Sequence, residues 1–265
     1  MTIRQTFDSL KRQNESALVV YVMAGYPSLE HSMNLIQQCC VNGADLIEIG
    51  IPFSDPIADG PTIQHAGTEA LRRGVTLRDV LHAVEKIRTD KPLILMSYLN
   101  PLLSYGTDGL FEGMNRAGFS GLIVPDLPVE ESADWVPSAI KNDIDTIFLV
   151  TPISGTERIR RIASLSKGFL YCVSLAGTTG SRPELSADLG KFLSDVRGVT
   201  GSLGTTGLPV VVGFGISTPA QIRILNNQAD GVVVGSRIIE AIRKGEDVPS
   251  LVRELKHATK KESEQ

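Results

Sequence analysis

The sequence predicts a (β/α)8 TIM barrel with an extra N-terminal helix, a single domain over residues 1–265. Three observations carry that expectation. Short, β-branched apolar runs recur with amphipathic segments between them, and each run is almost continuously apolar, as strands buried on both faces of a parallel sheet are. The alternation repeats eight times, enough for a sheet to close on itself and lose its edges. An open doubly wound sheet is the alternative, but VMAGYPS follows the first run where a G-x-G-x-x-G would be needed.

The elements follow in order. Ile3, Phe7 and Leu10 recur at helical spacing, so a leading amphipathic helix covers one end of the barrel. The eight strand candidates are ALVVYVMAG (17–25), DLIEIG (45–50), PLILMSY (92–98), GLIVPD (121–126), DTIFLV (145–150), GFLYCVS (168–174), LPVVVGFG (208–215) and DGVVVGS (230–236). Between the first two, residues 29–42 place Leu35, Ile36, Cys39 and Cys40 on one helical face, and Gly43 supplies a stop. Comparable patterns predict helices at 107–117, 130–142, 155–166, 185–197, 218–227 and 247–260. Thr218 followed by Pro219 reads as an N-cap with a first-turn proline. The charged end KKESEQ is expected to fray.

Composition narrows the function. With 42% hydrophobic and 21% charged residues the chain is able to bury a sizeable core, and a net charge of −4 gives no basic footprint for nucleic acid. Cys39, Cys40 and Cys172 have no metal-ligand spacing and read as small buried hydrophobes in a reducing compartment. Residues 1–14 lack an apolar signal core, and no stretch approaches the roughly 20 apolar residues of a membrane span. The expected location is therefore cytoplasmic, or a plastid if a targeting segment has been removed.

In a barrel of this kind the chemistry sits where the strands end. Glu48 lies two residues before the end of the second run, and alternation aims it into the mouth among apolar neighbours. Dehydration there raises the pKa of a carboxyl group and suits it to proton exchange near neutrality. The alternative is a buried Glu paired with a cation, but the strand ends offer none. Asp59 follows in a loop long enough to fold back over the mouth. For Asp55 and Asp59 turn chemistry is the competing account: it is the better one for Asp55, whereas for Asp59 local pattern leaves the choice open.

Glycine- and hydroxyl-rich loops follow strands six, seven and eight: SLAGTTGS (174–181), GFGIST (213–218) and the Gly235-Ser236 pair. Glycines let backbone N–H groups approach an anion, and a helix opening at Ser236 would add its positive end, so these loops predict a phosphate site. Tyr21, Met96, Ile123, Tyr171 and Phe214 would line the space between. Two acids at one end, an anion cradle at the other and flat apolar walls between them describe a phosphorylated aromatic substrate.

LIEIGIPFSDPIADGPTIQ, GLIVPDLPVEES, YCVSLAGTTG and VVVGFGIS, in this order, resemble the tryptophan synthase alpha subunit over essentially the whole chain. The resemblance implies a lyase that cleaves indole-3-glycerol phosphate to indole and glyceraldehyde 3-phosphate by a retro-aldol step. It makes Glu48 the acid/base and Asp59 the carboxylate that engages the indole N–H. Gly180, Gly215, Gly235 and Ser236 fall on phosphate-contacting positions, and Thr179 falls in a closing loop. Tyr21, Met96, Ile123, Tyr171 and Phe214 fall on indole-pocket positions. Pro52, Asp55, Pro56, Asn100 and Pro128 match loops that face a beta subunit in an α2β2 complex. No metal or cofactor is implied for this chain, since pyridoxal phosphate belongs to the beta subunit. The competing expectations are a free-standing indole-releasing lyase, another phosphate-binding barrel such as a sugar-phosphate aldolase or isomerase, and a non-catalytic barrel that serves as a binding partner. A Schiff-base aldolase is disfavoured because no run ends in lysine.

Overall fold

The computed structural model describes residues 1–173, 187–202, 207–213 and 215–261. Strands β1 (Ala17–Met23), β2 (Leu46–Gly50), β3 (Leu93–Met96), β4 (Phe119–Ile123), β5 (Asp145–Ile147), β6 (Leu149–Val150), β7 (Leu170–Val173), β8 (Val210–Gly213) and β9 (Gly231–Val234) form one parallel sheet. Its order is β5-β4-β3-β2-β1-β9-β8-β7-β6. The eight expected runs are all present, but the fifth is split at Phe148 into β5, which pairs with β4, and β6, which pairs with β7. That split closes the barrel. One stave must lie first against one neighbour and then against the other, and Phe148 C=O, accepting from Tyr171 N–H at 3.1 Å, carries the ladder through the break.

The near-continuous hydrophobicity of each run has a direct structural cause. In β1, Leu18, Val20 and Val22 pack outward under the helices, while Val19, Tyr21 and Met23 point into the barrel with Ile94, Met96, Ile123, Ile147, Tyr171, Val211 and Val233. Both faces are dry, so neither tolerates a polar alternation. The leading helix, Ile3–Arg12, is held by a Thr2–Gln5 capping box and inserts Ile3, Phe7 and Leu10 into the N-terminal end of that interior. Phe7 meets Phe169 at 5.9 Å between ring centroids, and Ile3 sits against Gly121 and Gly168, where a Cβ would have no room.

Most expected helices are observed with shifted ends. Leu29–Val41, Thr107–Ala117, Thr156–Leu165, Ala187–Ser202, Pro219–Leu225 and Val248–His257 match them, and Thr218 caps Pro219–Leu225 with Gln221 as its reciprocal partner. The expected helix at 130–142 breaks into a 3-10 turn, Val129–Glu131, and a short helix, Trp135–Lys141. Ser132 ends the first piece by turning its hydroxyl back onto Val129 C=O at 2.7 Å. Pro61–Arg72, Leu77–Val84 and Leu99–Tyr105 are helices that the pattern reading left unassigned. Gly60-Pro61 looks like a turn in sequence, yet proline at a first helical position costs nothing because its missing N–H would be unpaired there anyway.

Candidate active site

Glu48 lies in β2 in register with Tyr21 of β1 and Ile94 of β3, and its side chain is 3% exposed. Its Oε2 has no hydrogen-bond partner among the described residues. A carboxylate there would lose its hydration without compensation, and burial, reinforced by the nearby charge of Asp59, raises the Glu48 pKa to about 8.

Asp59 is brought opposite by the loop after β2. Its N–H donates to Pro56 C=O at 3.1 Å, and its own C=O accepts from Gln64 Nε2 at 2.8 Å, so the first turn of Pro61–Arg72 pins the loop that precedes it. Burial raises the Asp59 carboxyl to about 6, against the downward pull of the Tyr98 hydroxyl. Near neutral pH the two acids therefore differ: Glu48 mostly holds its proton and Asp59 has mostly lost it. Such a pair has an acid and a counter-charge in one pocket.

Tyr21 and Tyr171 are both buried in the interior cluster and both feel the charges of Glu48 and Asp59, so they flank the acids. Each phenol lies over a strand-end glycine. A Cβ on Gly50 would fall 2.0 Å from the Tyr21 hydroxyl, and one on Gly213 would fall 2.2 Å from that of Tyr171. The other end of Tyr21 packs at Gly235, where a Cβ would come within 3.3 Å of the tyrosine Cβ. Its ring thus runs across the mouth from the end of β9 to the end of β2. Met96 and Ile123 end β3 and β4 on the same inner face.

After β9, which is separated from β2 by β1 alone, the helix Ser236–Lys244 opens at Gly235 with no side-chain cap, and Ser236 is exposed. Its first N–H groups are thus free of a capping side chain, whereas Pro219–Leu225 has its N-terminus filled by Thr218 and Gln221. Gly215 is exposed and adopts φ +80°, a conformation that favours glycine. Thr179, Gly180 and Phe214 lie outside the described residues.

Among the residues expected to face a partner, Asp55, Asn100 and Pro128 are exposed and Pro56 is half-buried. Pro52, expected with them, is buried in this chain, where the backbone has only just left β2. Beside Asp55, Ile57 is 82% exposed. Asp55 itself sits in a turn, with its C=O accepting from Ile57 N–H at 2.9 Å. Tyr98 was missed as a site residue, although it is the terminal aromatic of the third run; it contacts Asp59 through a loop that local pattern does not place. No cluster of His, Cys, Asp or Glu among the described residues is arranged to hold a metal, and no helix among them is long and apolar enough to cross a membrane.

A parallel barrel whose C-terminal mouth holds a protonated and an ionised carboxyl, buried tyrosines and an uncapped helix end defines an acid–base enzyme for a small phosphorylated substrate. Comparison with known proteins makes the class specific. The family model of the tryptophan synthase alpha chain matches residues 7–265. The tryptophan synthase alpha chain of Solibacter usitatus is 43% identical over 260 residues, covering 97% of this chain and 95% of that one. That of Methanosarcina acetivorans is 44% identical over 259 residues, covering 96% and 92%. A solved structure of Mycobacterium tuberculosis tryptophan synthase superposes with a TM-score of 0.90 at 37% identity, covering 97% of this chain and 98% of the other. The chain belongs to the tryptophan synthase alpha chain family. Its role is that of the alpha subunit in tryptophan biosynthesis, a lyase acting on indole-3-glycerol phosphate.

Proposed function

We propose that Glu48 and Asp59 carry the cleavage of indole-3-glycerol phosphate in this chain. The reaction needs a proton on indole C3, which converts the ring to an indolenine. It also needs removal of the proton from the hydroxyl beside the breaking bond. Glu48, protonated at first, delivers its proton to C3; ionised by that step, it takes the hydroxyl proton as the C–O bond becomes a carbonyl. The C–C bonding pair then returns to the ring, releasing indole and glyceraldehyde 3-phosphate. Asp59, ionised, sits by the ring N–H and stabilises the positive charge that develops there, an effect of a few kcal/mol in comparable sites. Tyr21, Tyr171, Met96 and Ile123 hold the ring, with Phe214 assigned on sequence alone. Gly215, Gly235 and Ser236 receive the phosphate, with Gly180 and Thr179 likewise assigned on sequence alone. The observation that supports this reading best is the buried Glu48 carboxyl, whose Oε2 has no partner among the described residues, since a buried acid with a raised pKa that no ion pair explains is a mark of a reactive site.

Asp55, Pro56, Asn100 and Pro128 form the face for a beta subunit, which holds pyridoxal phosphate, in an α2β2 assembly working in the cytoplasm. Asp55, Pro56 and Asp59 share one loop, so docking there biases the catalytic carboxylate directly. The test is indole release from indole-3-glycerol phosphate with and without beta subunit. Partner addition should raise wild-type turnover far more than that of Asp59→Ala. Equal fold activation of both would show that the partner acts elsewhere, and an isolated chain as fast as the complex would favour a free-standing lyase.

A further inference from the structure

Tyr98 is 1% exposed and lies just past the end of β3, yet it has a polar task. Its hydroxyl accepts from the N–H of Ala58, forty residues earlier in sequence, at 3.0 Å. The same hydroxyl interacts with the carboxyl group of the adjoining Asp59. The ring stacks on Phe53, from the start of the same loop, with centroids 5.4 Å apart and planes at 29°. Tyr98 thus grips both ends of the segment that presents Asp59. It is itself fixed, because the N–H of Leu99 donates to Asp126 Oδ1 at 2.9 Å, tying the end of β3 to the loop after β4.

We propose that Tyr98 is the positioning residue for Asp59, holding its carboxylate at the place where the substrate's ring nitrogen arrives. The inference rests on Asp59 being catalytic. A phenol oxygen that accepts from a backbone N–H is polarised to donate more strongly to a carboxylate, so one side chain fixes the loop and favours the ionised acid. The other titratable groups facing Asp59 are Glu48 of β2, Tyr21 of β1 and Tyr171 of β7, and none of them reaches the Asp59 loop from β3. Asn100 follows Leu99 and Pro128 lies two residues beyond Asp126, so the same anchor joins three loops of the mouth.

Tyr98→Phe keeps the stacked ring and removes only the hydroxyl. In the complex with beta subunit, turnover should fall about tenfold, as for one lost hydrogen bond to a charged group. The carboxyl carbon of Asp59, followed by NMR in the substrate-free chain, should titrate at higher pH than its wild-type value near 6. In an Asp59→Asn background the same substitution should cost less than about twofold, since the group it positions is gone. An unmoved Asp59 titration, or an equal loss in both backgrounds with a lowered urea midpoint, would overturn the proposal and reduce Tyr98 to a packing residue. Wild-type turnover by Asp59→Asn alone would instead overturn the assignment of Asp59, and this inference with it.

Discussion

Two buried acids in one short stretch, Asp45 immediately before β2 and Glu48 at its midpoint, have opposite surroundings. Asp45, at the N-terminal face, accepts from Leu18 N–H at 2.8 Å and from Lys256 Nζ at 2.9 Å, and that lysine also pairs with Glu15 at 2.8 Å. Burial still pushes the Asp45 carboxyl up, but Lys256 and the backbone donor oppose it. Glu48, three residues on, has no partner for its Oε2 among the described residues and rises to about 8. Depth alone therefore does not distinguish a structural carboxylate from a reactive one. What separates them is whether the fold supplies a donor.

The sharpest way to break this comparison is to remove the Glu48 proton while keeping its shape. Glu48→Gln should lower turnover by about 10³-fold, within the range of a lost general acid–base group, and leave the fold intact. Stability depends on pH through the same group. Because the folded pKa of Glu48 lies above its ordinary value of 4.5, wild-type stability should decline as pH rises from about 4.5 to about 8, the folded state holding the extra proton. The Gln variant should lack that decline, so urea unfolding at several pH values checks it; a Gln variant that turns over like wild type would remove Glu48 from the mechanism.

The reverse substitution sits at the other end of the barrel. Lys256→Met leaves Asp45 buried without its cation and should cost about 3 kcal/mol of stability, the lower range for a broken buried pair. Turnover per folded molecule should not change. A Lys256→Met protein that unfolds at the wild-type urea midpoint would show that the lysine does not support Asp45, and the contrast would lose half its basis.

The smallest effect belongs to the proposed phosphate site, where backbone groups are expected to dominate. Ser236→Ala should weaken competition by inorganic phosphate or glycerol phosphate by about 1 kcal/mol, the value of one hydrogen bond. Inhibition constants measured against indole-3-glycerol phosphate read this directly. An unchanged constant would place the anion away from the opening of Ser236–Lys244.

Much of this was legible along the chain. Both faces of every stave are buried, so each of the eight runs announces itself by unbroken apolar residues, and Glu48 stands out as the polar exception in one of them. Helices at 29–42 and 107–117 were recognisable because one face of each is apolar at helical spacing. Pro61–Arg72 was not, because its buried positions are only Ala66, Gly67 and Ala70, too small to mark a stripe.

By itself, the sequence determined the parallel barrel and the family and singled out the two acids as candidates, because these rest on local periodicity and on motifs contiguous in the chain. Tertiary structure alone decided which acid is supported and which is exposed to reaction. Lys256 reaches Asp45 across 211 residues, Tyr98 reaches Ala58 across 40, and Phe148 divides a stave so that the barrel closes. Such contacts depend on where closure brings distant segments, and no periodicity in the intervening chain encodes that distance. Burial then turns each one into chemistry, since in a dry interior one hydrogen-bond donor more or less decides whether a carboxyl group keeps its proton.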